Sequence, residues 1–351
     1  MNKIPVSVLA ATGSVGQRFI QLLDQHPWFE VTAVTGSERG YGKTYAETCR
    51  WILPGDMPAW ARDLPVLPTT PEAAQTPIAF SALPADIARE VEPDFARAGI
   101  AVCSNASAYR REPDVPILLP EVNADHASVI VAQRAKHGWS GLLSTNSNCT
   151  STGATVALKA LQNAFGLKRI FIVSLQALSG AGYPGVASMD IVDNVVPFIG
   201  GEEEKVEWEP RKMLGSVVDG EIRLAEIGIS AHTNRVQVTD GHLVCLTVEF
   251  EQRATPADVR AALADYRAPE IARDLPFAPH PPILVRSEDN RPQPRLDRMT
   301  GNGMTTVVGR IRPDNLFDAR LTVLSHNTIR GAAGGSIYNA ELLVKMGYVK
   351  A

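Results

Sequence analysis

The chain has 351 residues, 45% of them hydrophobic and 21% charged, the make-up of an ordinary globular protein long enough for about two domains. A formal net charge of -4 offers no electrostatic footprint for nucleic acid or an anionic membrane, so neither is expected as a partner and small molecules are. Four cysteines, Cys49, Cys103, Cys149 and Cys245, stand singly and fit neither a disulfide framework nor a metal-ligand spacing, which predicts a reducing, cytoplasmic compartment and no bound metal.

The opening MNKIPVSVLAATG places a lysine before an apolar run, a faint likeness to a secretory leader, but the run stops at a glycine turn. No later run approaches the roughly 20 apolar residues that span a bilayer. Apolar runs at 4–11, 31–35, 78–83, 100–104, 115–119 and 141–145 read as strands, alternating with helical patterns over 15–25, 85–98 and 124–136. Such alternation predicts a parallel sheet covered on both faces. Beyond the helix that follows Cys149 the β-rich runs lengthen, at 169–178, 227–238, 242–250, 305–312 and 320–325, which predicts a mostly antiparallel sheet in a second domain. The last stretch, 331–346, returns to helical spacing (Ile337, Ala340, Leu342, Leu343, Met346) and is expected to pack back near the first domain.

The segment VSVLAATGSVGQRFIQLL reads strand, turn, helix, with Ala10, Gly13 and Gly16 at the spacing of a dinucleotide-binding turn. Small residues there let backbone N–H groups approach a pyrophosphate at a helix start. After the second strand come Ser37, Glu38 and Arg39. Ser37 and Arg39 suit a 2′-phosphate and favour NADP; Glu38 can be the ribose acid of an NAD site or a solvated loop charge.

TNSNCTSTG, 145–153, sets Cys149 at a strand-to-helix junction. Free cysteine is commonly a buried packing residue. A helix N-terminus, however, lowers a thiol pKa and offers N–H groups to an oxyanion, so a nucleophile is the competing reading. Cys49, Cys103 and Cys245 lack polar surroundings and are expected to pack. Of seven histidines (His26, His126, His137, His232, His242, His280, His326) most are expected at the surface or in turns; His242 stands out because it follows Asp240 and Gly241, opens a β run and lies across a turn from Arg235.

The segments LAATGSVGQRFI, SNCTSTG, QALSGAGYPGV, GGEEEKVEWE, NRVQVTDGH and HNTIRGAAGGSIYNAELL, in this order over nearly the whole chain, resemble the aspartate-semialdehyde dehydrogenase family, in its archaeal and fungal branch. The resemblance implies a Rossmann-like N-terminal dinucleotide-binding domain with an α+β catalytic and dimerisation domain, as in glyceraldehyde-3-phosphate dehydrogenase. The expected division is 1–147, with 331–351 packing back on it, and 148–330. It implies NADPH-dependent, reversible reductive dephosphorylation of L-aspartyl 4-phosphate, feeding lysine, threonine and methionine synthesis, through a thioester on Cys149. Aspartyl phosphate, aspartate semialdehyde and inorganic phosphate are then the small-molecule partners, in a homodimer or a dimer of dimers.

By the same resemblance His242 is the acid/base that protonates the alkoxide left by hydride addition, and Gln176 orients the intermediate. Arg235 holds the substrate α-carboxylate, Glu202 its ammonium, and Lys205 and Arg110 its phosphate. Asn148 caps the helix, lines the oxyanion site, or does both. Thr12, Gly13, Ser14, Val15, Gly16, Ser37, Arg39, Ser81, Leu83, Asn105, Ser179, Gly180, Asn327 and Gly331 fall in the cofactor-binding segments. Without the family, Glu202 to Lys205 would read as a solvated helix start and Gln176 as an outward strand residue. The chain departs from relatives at Ala10 (often glycine), Gly40 (often serine) and Ser147 (often proline). N-acetyl-glutamyl-phosphate reductase, glyceraldehyde-3-phosphate dehydrogenase and malonyl-CoA reductase run related chemistry, and a silent dinucleotide-binding relative is the alternative outside catalysis. Glu202 argues for a free amine on the substrate.

Overall fold

The computed structural model describes residues 3–349, so the extreme ends of the expected ranges 1–147 and 331–351 lie outside the described residues. Strand β1 (Ile4–Leu9) buries Val6, Val8 and Leu9 completely, because it sits in the middle of a sheet covered on both faces. Its neighbours are β2 (Phe29–Thr35), β3 (Val66–Leu67), β4 (Ile78–Ser81), β5 (Ala101–Ser104) and β6 (Leu142–Thr145). The order is β3-β2-β1-β4-β5-β6 and every pairing is parallel. In this doubly wound order the strand direction of travel reverses between β1 and β4, which opens a crevice at the carboxyl ends of the strands. Helices α1 (Ser14–Leu22), α2 (Ala85–Arg97) and α3 (Val129–His137) cover the sheet.

The run 115–119 does not join as a strand: Ile117 makes a single bridge to Thr145. Pro116 has no N–H to offer a ladder and Pro120 starts the next helical turn, so the apolar content reflects burial without a strand.

Helix α4 (Cys149–Phe165) leaves the first sheet and packs on the second. Ala154, Ala157, Leu158 and Leu161 fall on one face at helical spacing and share a core with Ile172, Val244, Leu246 and Val323. The second sheet contains β7 (Arg169–Gln176), β10 (Gly228–Arg235), β11 (His242–Glu249), β12 (Ile283–Val285), β13 (Thr306–Pro313) and β14 (Ala319–Ser325), while β8 (Ser216–Val218) and β9 (Glu221–Arg223) form a separate ribbon. Its order is β10-β7-β11-β14-β13-β12, with antiparallel pairing at β7·β11, β11·β14 and β13·β14 and parallel pairing at both edges. Helices α5 (Glu202–Met213) and α6 (Pro256–Ala264) flank it. The last helix, α7 (Gly334–Lys345), shares a core with the first sheet: Ile337, Ala340 and Leu343 lie with Val6, Val8 and Phe19.

Two expectations about single residues are corrected. Cys245 is exposed, on the less buried face of β11, whereas Cys49 and Cys103 are buried. Four of the seven histidines, His26, His126, His242 and His326, are buried; ring nitrogens of the first three meet Glu341, Asn123 and Cys149, while His326 Nδ1 has no hydrogen-bond partner among the described residues, and turn-like sequence context does not disclose such burial. Among the described residues no helix is long and apolar enough to cross a membrane.

Candidate active site

Cys149 stands at the start of α4, with three residues between it and the end of β6 at Thr145, and Asn148 caps the helix. Its side-chain oxygen accepts from the N–H groups of Thr150 (2.9 Å) and Ser151 (3.2 Å), a contact worth about 1 kcal/mol. Cys149 is therefore the first helical residue, half-buried. Asn148 also donates from Nδ2 to both oxygens of Glu202, at 3.1 and 2.8 Å, so capping and a role in the site coexist.

The same end of the second sheet supplies the partners. Arg235 closes β10 directly opposite Gln176, the last residue of β7, and His242 opens the antiparallel β11 beside them. His242 Nε2 lies 3.1 Å from Cys149 Sγ. Its Nδ1 accepts the Ala177 N–H at 3.0 Å, which assigns the ring proton to Nε2: the imidazole meets the sulfur as a donor. Burial, with the charges of Arg235 and His326 adding to it, pushes the His242 imidazole down to about 3.

The thiol does not follow the expectation from its helix start. Burial, then the Glu202 carboxylate, push Cys149 up to about 12, against the opposing pull of Arg110, Arg235 and its own backbone N–H. A helix end supplies only a partial charge, and enclosure beside a full carboxylate outweighs it. At rest both members of the pair are neutral.

Glu202, buried at the first turn of α5, accepts from Lys205 Nζ at 3.0 Å and from Gln176 Nε2 at 3.3 Å. Burial works upward on its carboxyl, yet Lys205, Asn148 and Gln176 together hold it below the ordinary carboxylate range. Its neighbours Glu203 and Glu204 are exposed, though Glu203 accepts the Thr233 N–H at 3.1 Å, so the solvated-helix reading holds for Glu204 and not for Glu202. Arg235 donates to the Ala177 carbonyl at 2.7 Å, and burial lowers its guanidinium while Cys149 and Glu202 raise it. Arg110 is buried, paired with Glu209 at 2.9 Å and donating to the Asn105 carbonyl at 2.8 Å.

A cavity of about 340 Å³ joins these elements. Cys149, Asn148, Arg235, Glu202 and Lys205 line it from the second sheet and its helices, Ser14, Val15, Asn105 and Arg110 from the first. Ser179, Gly180, Asn327 and Gly331 complete the wall. Asn327 is fixed by donating to Ser179 Oγ at 2.8 Å and accepting the Gly241 N–H at 2.8 Å. A Cβ on Gly180 would stand 2.8 Å from Arg235 Nη1, and one on Gly331 2.8 Å from Cys149 Cβ; only glycine leaves the sulfur and guanidinium clear. Gln176 and His242 stand behind the wall, in contact with Glu202 and Cys149.

The start of α1 fits a dinucleotide. Gly13 is its N-cap without a side-chain cap, and no acid occupies the first turn, so the free N–H groups and positive end face outward. Gly16 lets the helix close on the strand, since a Cβ there would be 2.4 Å from the Ala10 carbonyl oxygen. Ala10 itself has φ 56, a left-handed conformation that explains the glycine of relatives. Thr12 is half-buried in this turn, and Ser37 and Arg39 are exposed just past β2. Ser81 and Leu83 are buried at the end of β4 and lie outside the cavity wall. Gly40 is boxed in, since a Cβ there would be 3.1 Å from Val66 Cγ1 and 3.2 Å from Thr48 Cγ2.

Sequence reasoning missed Glu209 and the Ala177 N–H. The first carried a signal: Glu202, Lys205, Glu209 and Lys212 recur along one face of α5. The second is a backbone group, without a sequence signature.

Two family models match the chain, the semialdehyde dehydrogenase NAD binding domain over residues 5–130 and the semialdehyde dehydrogenase dimerisation domain over residues 158–330. The chain is similar to the aspartate-semialdehyde dehydrogenase of Archaeoglobus fulgidus, 50% identical over 97% of this chain and 98% of that one. It is similar to the enzyme of Schizosaccharomyces pombe at 48% identity over 97% and 98%. The crystal structure of the aspartate semialdehyde dehydrogenase with NADP from Candida albicans superposes with a TM-score of 0.92 at 41% identity, covering 99% of this chain and 100% of that one. Likeness of this extent, over 97 to 99% of the chain, means that the chain belongs to the aspartate-semialdehyde dehydrogenase family.

Proposed function

We propose that this protein catalyses the reversible, NADP(H)-dependent reductive dephosphorylation of L-aspartyl 4-phosphate to L-aspartate 4-semialdehyde, a step in making the amino acids derived from aspartate. The observation that carries the reading is the sulfur–imidazole contact of 3.1 Å at the wall of a cavity shared with the α1 turn. The names of the relatives and the NADP of the Candida albicans structure support it. We take 1–147 with 331–351 as the cofactor-binding unit and 148–330 as the catalytic and dimerisation unit.

Arg235 offers a bidentate fork for the α-carboxylate and Glu202 a carboxylate for the α-ammonium. When the ammonium engages Glu202, the charge that pushes the thiol up is compensated, so the correct substrate assists formation of the thiolate. Cys149 then attacks the acyl carbon, its proton passing to the departing phosphate because both His242 ring nitrogens are committed; the bond from the acyl carbon to the phosphate oxygen breaks, and phosphate departs beside Arg110 and Lys205. Gln176 and Asn148 hold the thioester. NADPH, when bound, supplies the hydride that reduces it. Gly13, Ser14, Val15 and Gly16 with Thr12 would hold its pyrophosphate, Ser37 and Arg39 its 2′-phosphate, and Asn105, Ser179, Gly180, Asn327 and Gly331 the nicotinamide side, with Ser81 and Leu83 supporting the strand ends. Nε2–H of His242 donates to the oxygen that becomes negative on reduction and again to the sulfur as it is expelled. Collapse of the alkoxide releases thiolate and aldehyde without net protonation of the ring. This narrows the acid/base role read from the resemblance to that of a fixed donor.

A homodimer follows from the dimerisation-domain match. Exposed Tyr183, Met189, Val192, Val195 and Phe198, beside the edge strand β10, suit a second copy, and pairing of dimers is part of the proposal. Four free cysteines support a reducing, cytoplasmic setting. The test is phosphate-dependent reduction of NADP, and separately of NAD, by purified protein supplied with aspartate semialdehyde. No turnover with either dinucleotide would reject the reading; dimers are checked by light scattering.

A further inference from the structure

Glu209 lies two turns along α5 from Glu202, on the same face, and is 1% exposed. Each of its carboxylate oxygens serves a different part of the site. Oε1 accepts from Arg110 Nη1 at 2.9 Å, and Oε2 accepts the backbone N–H of Asn148 at 2.5 Å. Arg110 is thereby held on two sides, with Nη2 on the Asn105 carbonyl at 2.8 Å, while its Nε is buried without a partner in a side chain that lines the cavity. Asn148, in turn, is the cap of α4 and the residue before the nucleophile.

We propose that Glu209 is a positioning residue that couples the phosphate ligand to the nucleophile: a single carboxylate aims the free N–H edge of Arg110 and pins the peptide that carries Cys149. The proposal rests on the function proposed above. Its physical basis is that a carboxylate has two acceptor oxygens and here both are committed, so displacement of Arg110 by an arriving phosphate is felt directly at the backbone beside the sulfur. A buried ion pair kept only for stability would alter unfolding and leave substrate constants in proportion. Positioning instead separates them. Phosphate recognition suffers most, cofactor recognition least, because the carboxylate oxygens of Glu209 are bonded to Arg110 and Asn148.

Glu209→Gln keeps the shape but turns an NH₂ toward either the guanidinium or the peptide N–H, so one contact must be lost. The experiment measures KM for phosphate, aspartate semialdehyde and NADP in the aldehyde-oxidising direction for wild type, E209Q, R110K and the double variant, with thermal unfolding alongside. The expected result is a phosphate KM raised about tenfold or more in E209Q, an NADP KM within about twofold of wild type, and a double variant little worse than R110K alone. A phosphate KM unchanged in E209Q, constants that all rise together, or additive effects in the double variant overturn the proposal. Should E209Q fail to fold, Glu209→Asp, which keeps the charge but is too short to span both partners, is read by the same criteria. Wild type without phosphate-dependent turnover would instead reject the underlying function, so the two failures are distinguishable.

Discussion

Cys149 Sγ and His242 Nε2 face one another at 3.1 Å, and because the Ala177 N–H occupies the far ring nitrogen the imidazole can only donate across that gap. The pair is thus a thiol beside a neutral donor, in place of the thiolate–imidazolium couple common where cysteine and histidine meet.

The first consequence concerns pH. With burial and Arg235 holding His242 near 3, its charge does not change over roughly pH 5 to 8, so kcat should show no histidine-like ionisation in that range. His242→Ala is expected to lower kcat by about 10² to 10³ and to leave the shape of the profile as it was. A wild-type inflection near neutrality that disappears in the variant would contradict the assigned tautomer.

The sulfur gives a second expectation. A thiol raised to about 12 is protonated at ordinary assay pH, and its ionised fraction grows about tenfold for each unit of pH below that value. Alkylation of Cys149 by iodoacetamide should therefore rise steadily between roughly pH 6 and 9 without a plateau. Glu202→Gln removes the charge that contributes to the elevation and should speed alkylation at fixed pH; a slower rate in that variant would count against the account. Mass spectrometry of the labelled peptide identifies the residue.

Substrate recognition supplies a third. Arg235→Lys keeps the charge but loses the planar fork, so kcat/KM for aspartate semialdehyde should fall by about 10 to 100-fold with the NADP KM preserved. Glu202→Gln should raise the semialdehyde KM as well. If aspartate semialdehyde kinetics are untouched in E202Q, the free-amine substrate assigned through Glu202 is wrong and a substrate without that group must be sought.

A fourth is structural. Ala10 at φ 56 carries the cost of a left-handed alanine, about 1 to 2 kcal/mol, partly offset in a comparison with glycine by the greater freedom of unfolded glycine, about 0.5 to 1 kcal/mol. Ala10→Gly should stabilise by about 0.5 to 1 kcal/mol, read as a higher denaturant midpoint with an unchanged slope. A lower midpoint would mean that the methyl group contributes packing that outweighs its strain.

Much of this architecture was legible because local pattern and tertiary demand agree. Alternating short apolar runs and helical spacing are what a covered parallel sheet requires, and Cys149, His242 and Arg235 sit in short polar segments at element ends where side chains meet. Legibility failed where a distant element decides. The run 115–119 is apolar like a strand, yet Pro116 has no N–H to give a ladder and one bridge remains. The thiol pKa could not be read at 149 because its direction is set in part by Glu202 on another helix. Cys245 looked like a packing residue since β11 is apolar, but it falls on the less buried face of that strand. Glu209 was hidden beside the acids that open α5, although its spacing from Glu202 marks the same face.

Helix α4 belongs by packing to the second sheet, while the polypeptide enters it from the first. The sulfur, its imidazole and Arg235 therefore travel as one block, and breathing between the two halves alters their reach toward the dinucleotide turn and toward Arg110, both carried by the first half. Arg110 is tied across that boundary to Glu209 and the dinucleotide turn has no such tie among the described residues, so loosening the crossing at Asn146 and Ser147 is expected to slow reduction more than acyl exchange with phosphate.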